Sequence, residues 1–252
     1  MLGHQLGGLT TTKQNIMAIN IDTVYQRVLA ISNKEQRGYI TPLEFNLMAN
    51  QAQLDIFNQY FFDLGQFKRQ PKYDLEYSDS VAFLEEKMSI FELFKQTPIA
   101  SSNNVFTLST DLYQLGNVYH TISSVDYEVE EVSKRNLIQY QLSPLSTPVA
   151  KRPVFTRKTD SGNKIEIFPS TITSAVTYNY IKKPADVSWG YTIINGETLY
   201  NSNTAVNFEL HASEETVLVI KILAIAGIII KDPSLYQISS QEEVKNIQQE
   251  KA

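Results

Sequence analysis

Apolar residues recur at helical spacing over the first part of the chain, at strand spacing over the middle, and almost without a break near the end. Asn20 or Asp22 caps a first helix whose apolar positions include Val24, Val28, Leu29 and Ile31, and Ser32-Asn33 and Gly38 mark its end. Thr41-Pro42-Leu43-Glu44 combines a capping hydroxyl, a proline at the first helical position and a glutamate placed to reach back to the cap. The helix it opens carries Leu47, Leu54, Phe57, Phe61 and Leu64 along one expected face, with Gly65 as its stop. A polar connector around Pro71 leads to a third helix. Ser78 or Ser80 caps it, and it runs through Leu84, Met88, Phe91 and Phe94 to a stop before Pro98.

The period then changes. Val105 to Leu108 reads as a short strand, and Val125, Tyr127 and Val129 alternate with Asp126, Glu128 and Glu130. Ser133 to Leu142 is a helical excursion, followed by a loop punctuated by Pro144, Pro148 and Pro153. Val154 to Thr159 and Lys164 to Phe168 flank Asp160-Ser161-Gly162-Asn163 as a hairpin. Val176, Tyr178 and Tyr180 alternate with Thr177 and Asn179 in a half-buried strand. Asn195-Gly196 favours a type I′ turn, so Tyr191 to Tyr200 forms a second hairpin. Glu214 and Glu215 complement the start of a final helix that carries VLVIKILAIAGIII to Lys231, with Pro233 beyond it. Apolar on nearly every side, that helix has to be covered on most of them.

These elements predict an α+β fold: N-terminal helices, a central antiparallel hairpin and meander region, and a long apolar C-terminal helix. A single domain is expected over 17–232, with helices over 20–97, a sheet region over 104–211 and a helix over 213–231. Residues 1–16 read as an N-terminal arm and 233–252 as a C-terminal tail, and Met17 is an alternative start to Met1.

Composition narrows the chemistry. The chain has 252 residues, a net charge of -5 and no cysteine. The acidic balance argues against a protein built to grip nucleic acid. Zero cysteine removes disulfide scaffolds, thiolate metal sites and cysteine nucleophiles. Three histidines, His4, His120 and His211, leave little for acid–base or metal chemistry. No cofactor, metal or catalytic residue is assigned, and the chain is expected not to be an enzyme. The start lacks an export signal, and the apolar run near Val217 is short for a membrane span, so no membrane partner is expected.

Phosphate-binding, nucleophile-elbow and zinc-protease motifs are missing. Glu128, Glu130 and Glu131 fit a solvated strand face better than a metal site. Lys151, Arg152, Arg157, Lys158 and Lys164 gather positive charge around one hairpin, which suits either an acidic partner and phosphates or simple solvation. Trp189 is a candidate anchor for a partner, because large aromatics concentrate at interfaces. Asn195 and Gly196, at a hairpin tip, join Lys151, Arg152, Arg157 and Lys158 as candidate partner contacts.

IDTVYQRVLAISNKEQRGYITPLEFNLMANQAQLDIFNQYFF, from Ile21 to Phe62, resembles the N-terminal region of structural proteins of short-tailed, crAss-like bacteriophages. The stretch from Asn33 to Pro42 and then Glu44-Phe45-Asn46 is its most distinctive part. Phe106 to Tyr113, Pro153-Val154-Phe155, Ile165 to Pro169 and Val176 to Trp189 continue the resemblance in the same order. It implies a ring or adaptor protein of the head-to-tail connector, similar to tail-tube adaptors and stacked below the portal. By that resemblance the chain forms a homo-oligomeric ring of twelve copies that contacts the portal and other neck or tail rings. Double-stranded DNA would pass through the ring without specific binding. The protein would be made in the host cytoplasm and reside in the virion. Another virion role, at a tail fibre or as cargo, is the alternative, and a tail-associated hydrolase ranks behind it.

Overall fold

The computed structural model describes residues 18–34, 40–67, 75–158 and 162–229, together with Gln241, Val244, Lys245 and Gln248. The arm at 1–16, the stop at Gly38, the connector around Pro71, residues 159–161 of the first hairpin turn, and most of the tail lie outside the described residues. The chain divides into two compact units. One is built from Met1–Val81 and Asp186–Ala252, the other from Ala82–Ala185.

The first unit is mainly helical. Helix α1 spans Ile21–Lys34, and Asn20 caps it by accepting from the amides of Asp22 and Thr23 at 2.8 and 3.2 Å. Helix α2 spans Pro42–Phe67. Its expected capping box forms: the Thr41 amide donates to Glu44 Oε2 at 2.9 Å, and the Glu44 amide donates to Thr41 Oγ1 at 3.3 Å. The expected face of α2 is covered except at its start: Phe57 is fully buried and Leu54, Phe61 and Leu64 are half-buried. Phe45, Met48, Ala49, Ala52, Ile56 and Tyr60 are buried, whereas Leu47 is 67% exposed. Small alanines widen the buried side, and apolar size alone misplaced only Leu47. Gly65 does not stop the helix, which continues for two residues past it.

Helix α5, Glu215–Ile229, follows a 3-10 turn at Ala212–Glu214 and packs on α1 and α2. It has 15 residues, about 22 Å at 1.5 Å per residue, and so falls short of the long helix expected over 213–231. Leu218, Val219, Ile222, Leu223 and Ala226 are buried, as the all-round apolar pattern required. Arg27 pairs with Glu215 at 2.8 Å across α1 and α5. His211 caps the 3-10 turn, its Nδ1 3.3 Å from the Ser213 amide.

In the second unit, eight strands form one sheet: β1 (Glu92–Gln96), β2 (Ile99–Ser102), β3 (Val105–Thr107), β4 (Leu112–Ile122), β5 (Val125–Glu131), β6 (Val154–Lys158), β7 (Lys164–Phe168) and β8 (Val176–Lys182). Their order is β1-β8-β4-β5-β6-β7-β3-β2. The first and last strands in that order are joined by Thr97 and Pro98 alone, so the sheet curls until its edges approach one another. Pairing is antiparallel except between β5 and β6, which run parallel. Helix α4, Lys134–Leu142, makes that crossover where a helical excursion was expected, and Ser133 caps it. Phe106, Val118, Val129, Phe155, Ile165, Ile167, Val176 and Tyr178 are among the residues that fill the concave side.

Helix α3, Leu75–Ser89, is shorter than the helix expected to reach Pro98. Glu92–Gln96 is strand β1, paired with β8 and bent by a register shift where Lys95 takes a φ of 49°. A short apolar run cannot report whether a sheet edge awaits it, and here the β8 edge decides the conformation. The strand at β8 and the hairpin partners β6 and β7 lie where the alternation placed them.

Candidate interaction surfaces

Asn46 and Asn50 sit one turn apart on α2 and read the backbone of the segment entering the second hairpin. Asn50 Oδ1 accepts from the Val187 amide at 2.7 Å, and its Nδ2 donates to the Val187 carbonyl at 3.0 Å and to the Asn46 carbonyl at 2.8 Å. Asn46 Oδ1 accepts from the Trp189 amide at 2.7 Å. On its other side the segment pairs with Val206 through Ser188 at 2.8 and 3.2 Å. Two amides four residues apart thus take the place of a neighbouring strand. Gln53 extends the ladder, its Oε1 accepting from the Glu209 amide at 3.2 Å.

This clamp corrects the expectation for Trp189. Its side chain is only 3% exposed and so is not an outward anchor. The indole N–H donates to Asp22 Oδ1 at 2.9 Å, and the ring packs 4.4 Å from Tyr25. Tyr191 stacks on it at 6.0 Å and Tyr200 packs at 5.6 Å. Trp189 therefore seats the base of a hairpin, strands β9 (Tyr191–Ile194) and β10 (Glu197–Tyr200). Asn195 and Gly196 form its tip with φ of 55° and 88°, the conformation a type I′ turn demands.

What projects from that seat is apolar. Ile193, Ile194 and Leu199 are 67%, 53% and 48% exposed. The strands pair only with each other in the described sheet, so both outer edges present backbone groups. A two-stranded hairpin is marginal alone, and Trp189 with its tyrosines supplies the support.

The basic and acidic clusters read from the sequence meet each other. The parallel β5–β6 pairing brings Arg157 against Glu131 in a two-pronged contact at 2.8 and 3.0 Å. Lys158 lies 3.7 Å from Glu166 across the β6–β7 ladder. These two cations answer carboxylates of their own sheet, and Glu128, Glu130 and Glu131 form the exposed strand face expected. Lys151 and Arg152 are exposed in the turn before β6, where Arg152 donates to the Leu145 carbonyl at 2.6 Å.

Sequence reasoning passed over the surface beside them. Helix α4 buries none of its residues. Ile138, Leu142 and Leu145 follow at spacings of four and three and are 62%, 78% and 86% exposed. The helical spacing was visible in the sequence, but only the structure reveals that none of the described residues covers it.

Polar chemistry is modest. Ser109 and Asp111 are hydrogen-bonded side chain to side chain, Tyr180 donates to Asp111 at 3.0 Å, and the Ser109 amide donates to the Tyr178 hydroxyl at 3.0 Å. Burial pushes both tyrosines above the usual phenol range. The cluster pins the loop between β3 and β4 to β8. His120 is 9% exposed on β4, its Nδ1 3.3 Å from the Ala175 carbonyl. Among the described residues no group of three His, Asp or Glu side chains is placed to hold a metal ion, and no helix is long and apolar enough to cross a membrane. No protein-family model and no curated protein sequence matches the chain.

Proposed function

We propose that this chain is a structural protein of a phage neck, forming a ring below the portal and enclosing the DNA channel. The observation that carries this reading is the pair of unlike apolar surfaces, the β9–β10 hairpin and the α4 stripe. A closed ring uses heterologous contacts, in which each copy offers two different patches to its two neighbours. Exposed apolar clusters of this kind on a folded chain mark interaction sites rather than solvent faces. The resemblance supplies the rest: twelve copies, and portal and other neck or tail rings above and below.

DNA passing such a ring should meet little that holds it. Arg157 and Lys158, the most regular part of the basic hairpin, are partnered by Glu131 and Glu166, which weakens their use on phosphates. The role is architectural, not catalytic. The test is a cryo-EM map of the particle. Density for this chain at twelvefold symmetry below the portal supports the reading, and a copy at the fibre tips or inside the head as cargo overturns it.

A further inference from the structure

The two apolar surfaces carry opposite charge. Between residues 132 and 159 the chain has Lys134, Arg135, Lys151, Arg152, Arg157 and Lys158 and no Asp or Glu. Between residues 184 and 220 it has Asp186, Glu197, Glu209, Glu214 and Glu215 and no Lys or Arg. Subtracting the internal pairs leaves the contrast in place at the two surfaces. Arg157 and Lys158 face Glu131 and Glu166, and Glu215 faces Arg27. Lys134, Arg135, Lys151 and Arg152 remain exposed around α4, and Asp186 and Glu197 remain exposed at the base and tip of the hairpin.

The hairpin's free edges carry a single charge, Glu197. No lysine or proline occurs from Tyr191 to Tyr200, and its turn is tight and regular. The α4 stripe likewise lies on a helix that buries none of its residues, Ile138 and Leu142 on the helix and Leu145 in the turn that follows it. An apolar stripe with a basic rim and an apolar hairpin with an acidic rim are complementary in both respects. Complementary rims set the register and suppress like-with-like pairing.

We infer that the β9–β10 hairpin of one copy docks on the α4 stripe of a second copy, Ile193, Ile194 and Leu199 covering Ile138, Leu142 and Leu145. Glu197 then lies toward Lys134 and Arg135 or toward Lys151. The contact is head-to-tail, so it leaves a free hairpin at one end and a free stripe at the other and can propagate to closure. This inference rests on the ring reading for its closed form, but the pairwise contact is testable without any particle.

The chain has no cysteine, so single substitutions report cleanly. Ile193→Cys and Leu142→Cys variants of the full chain, alone and mixed, are treated with a short bis-maleimide at about 100 μM protein, where a micromolar contact is populated. The expected result is covalent dimer only in the mixture, and a ladder of higher species from the double variant. Glu197→Lys should lower the mixed yield roughly two- to fivefold, and adding Lys134→Glu with Arg135→Glu should restore part of it. Circular dichroism of each variant verifies folding, and Thr192→Cys on the same hairpin gives a second reporter should Ile193→Cys fail to fold. Dimer from Ile193→Cys alone would mean hairpin-to-hairpin pairing and overturn the inference. Absence of any mixed product overturns it too. In that case a twelvefold map would still uphold the ring with a different interface, whereas mixed product with no ring in the particle would uphold the contact and refute the neck assignment.

Discussion

Asn50 offers the sharpest test of how the hairpin is held. Truncation to Ala removes the acceptor of the Val187 amide and the donor to its carbonyl, bonds of 2.7 and 3.0 Å. A backbone group left without a partner costs about 1–3 kcal/mol when buried. Asn50 is half-buried, so water reaches part of the gap and the low end applies to each group. Alanine is the better helix former by roughly 0.5 kcal/mol, which offsets a little of the loss. The net expectation is destabilisation of about 1.5 kcal/mol. Asn50→Asp keeps the acceptor for the amide but turns an oxygen toward the Val187 carbonyl, so it should lose at least as much. Gln51→Ala, one residue along and exposed, removes only the bond to Asp55 and should change stability by less than about 0.5 kcal/mol. Urea unfolding followed by fluorescence suits the question, because Trp189 is the sole tryptophan and lies two residues from Val187. A lower midpoint at unchanged slope is the expected signature. If Asn50→Ala and Gln51→Ala proved equally mild, the amide ladder would not be what holds the segment.

Three further outcomes follow from local geometry. A Cβ on Gly190 would sit 2.3 Å from Thr204 Oγ1 and 2.6 Å from backbone atoms of Thr204 and Ala205, so Gly190→Ala should cost about 3 kcal/mol, measured by thermal unfolding. Thr204→Ala should not rescue it, since the backbone contacts stay. Ser123 and Ser124 turn the β4–β5 hairpin with φ of 50° and 66°, a conformation costly for residues with a Cβ, so Ser123→Asn with Ser124→Gly should raise stability by about 0.5–1 kcal/mol in the same assay. The Thr41 amide and hydroxyl hold the Glu44 carboxyl below the usual glutamate range. With the folded value depressed, the stabilisation is present above the unfolded pKa and lost as pH falls through the folded one. An NMR titration should show Glu44 ionising at lower pH than in the Thr41→Ala variant, and equal values would contradict the capping box.

Local signals were read correctly wherever neighbouring residues decide the conformation. The Asn20 and Thr41 caps, the Asn195-Gly196 turn, the helical excursion from Ser133 to Leu142 and the alternation of β8 all depend on bonds or sterics within a few residues, and these are written in the sequence. Leu47, Gly65 and Glu92–Gln96 were misjudged because their outcome depends on what lies opposite. Alanines on α2 pack against neighbours and leave Leu47 outside, and β8 offers an edge that turns an apolar run into strand. The interaction surfaces divide the same way. The charge segregation between residues 132–159 and 184–220 is a property of the sequence alone. Only the tertiary structure decided that Trp189 is inside while Ile193 and Leu142 are outside, and that Arg157 is answered by Glu131. Burial and pairing are relations between distant segments, and one-dimensional periodicity records which residues could be covered, not which ones the folded chain leaves for a partner.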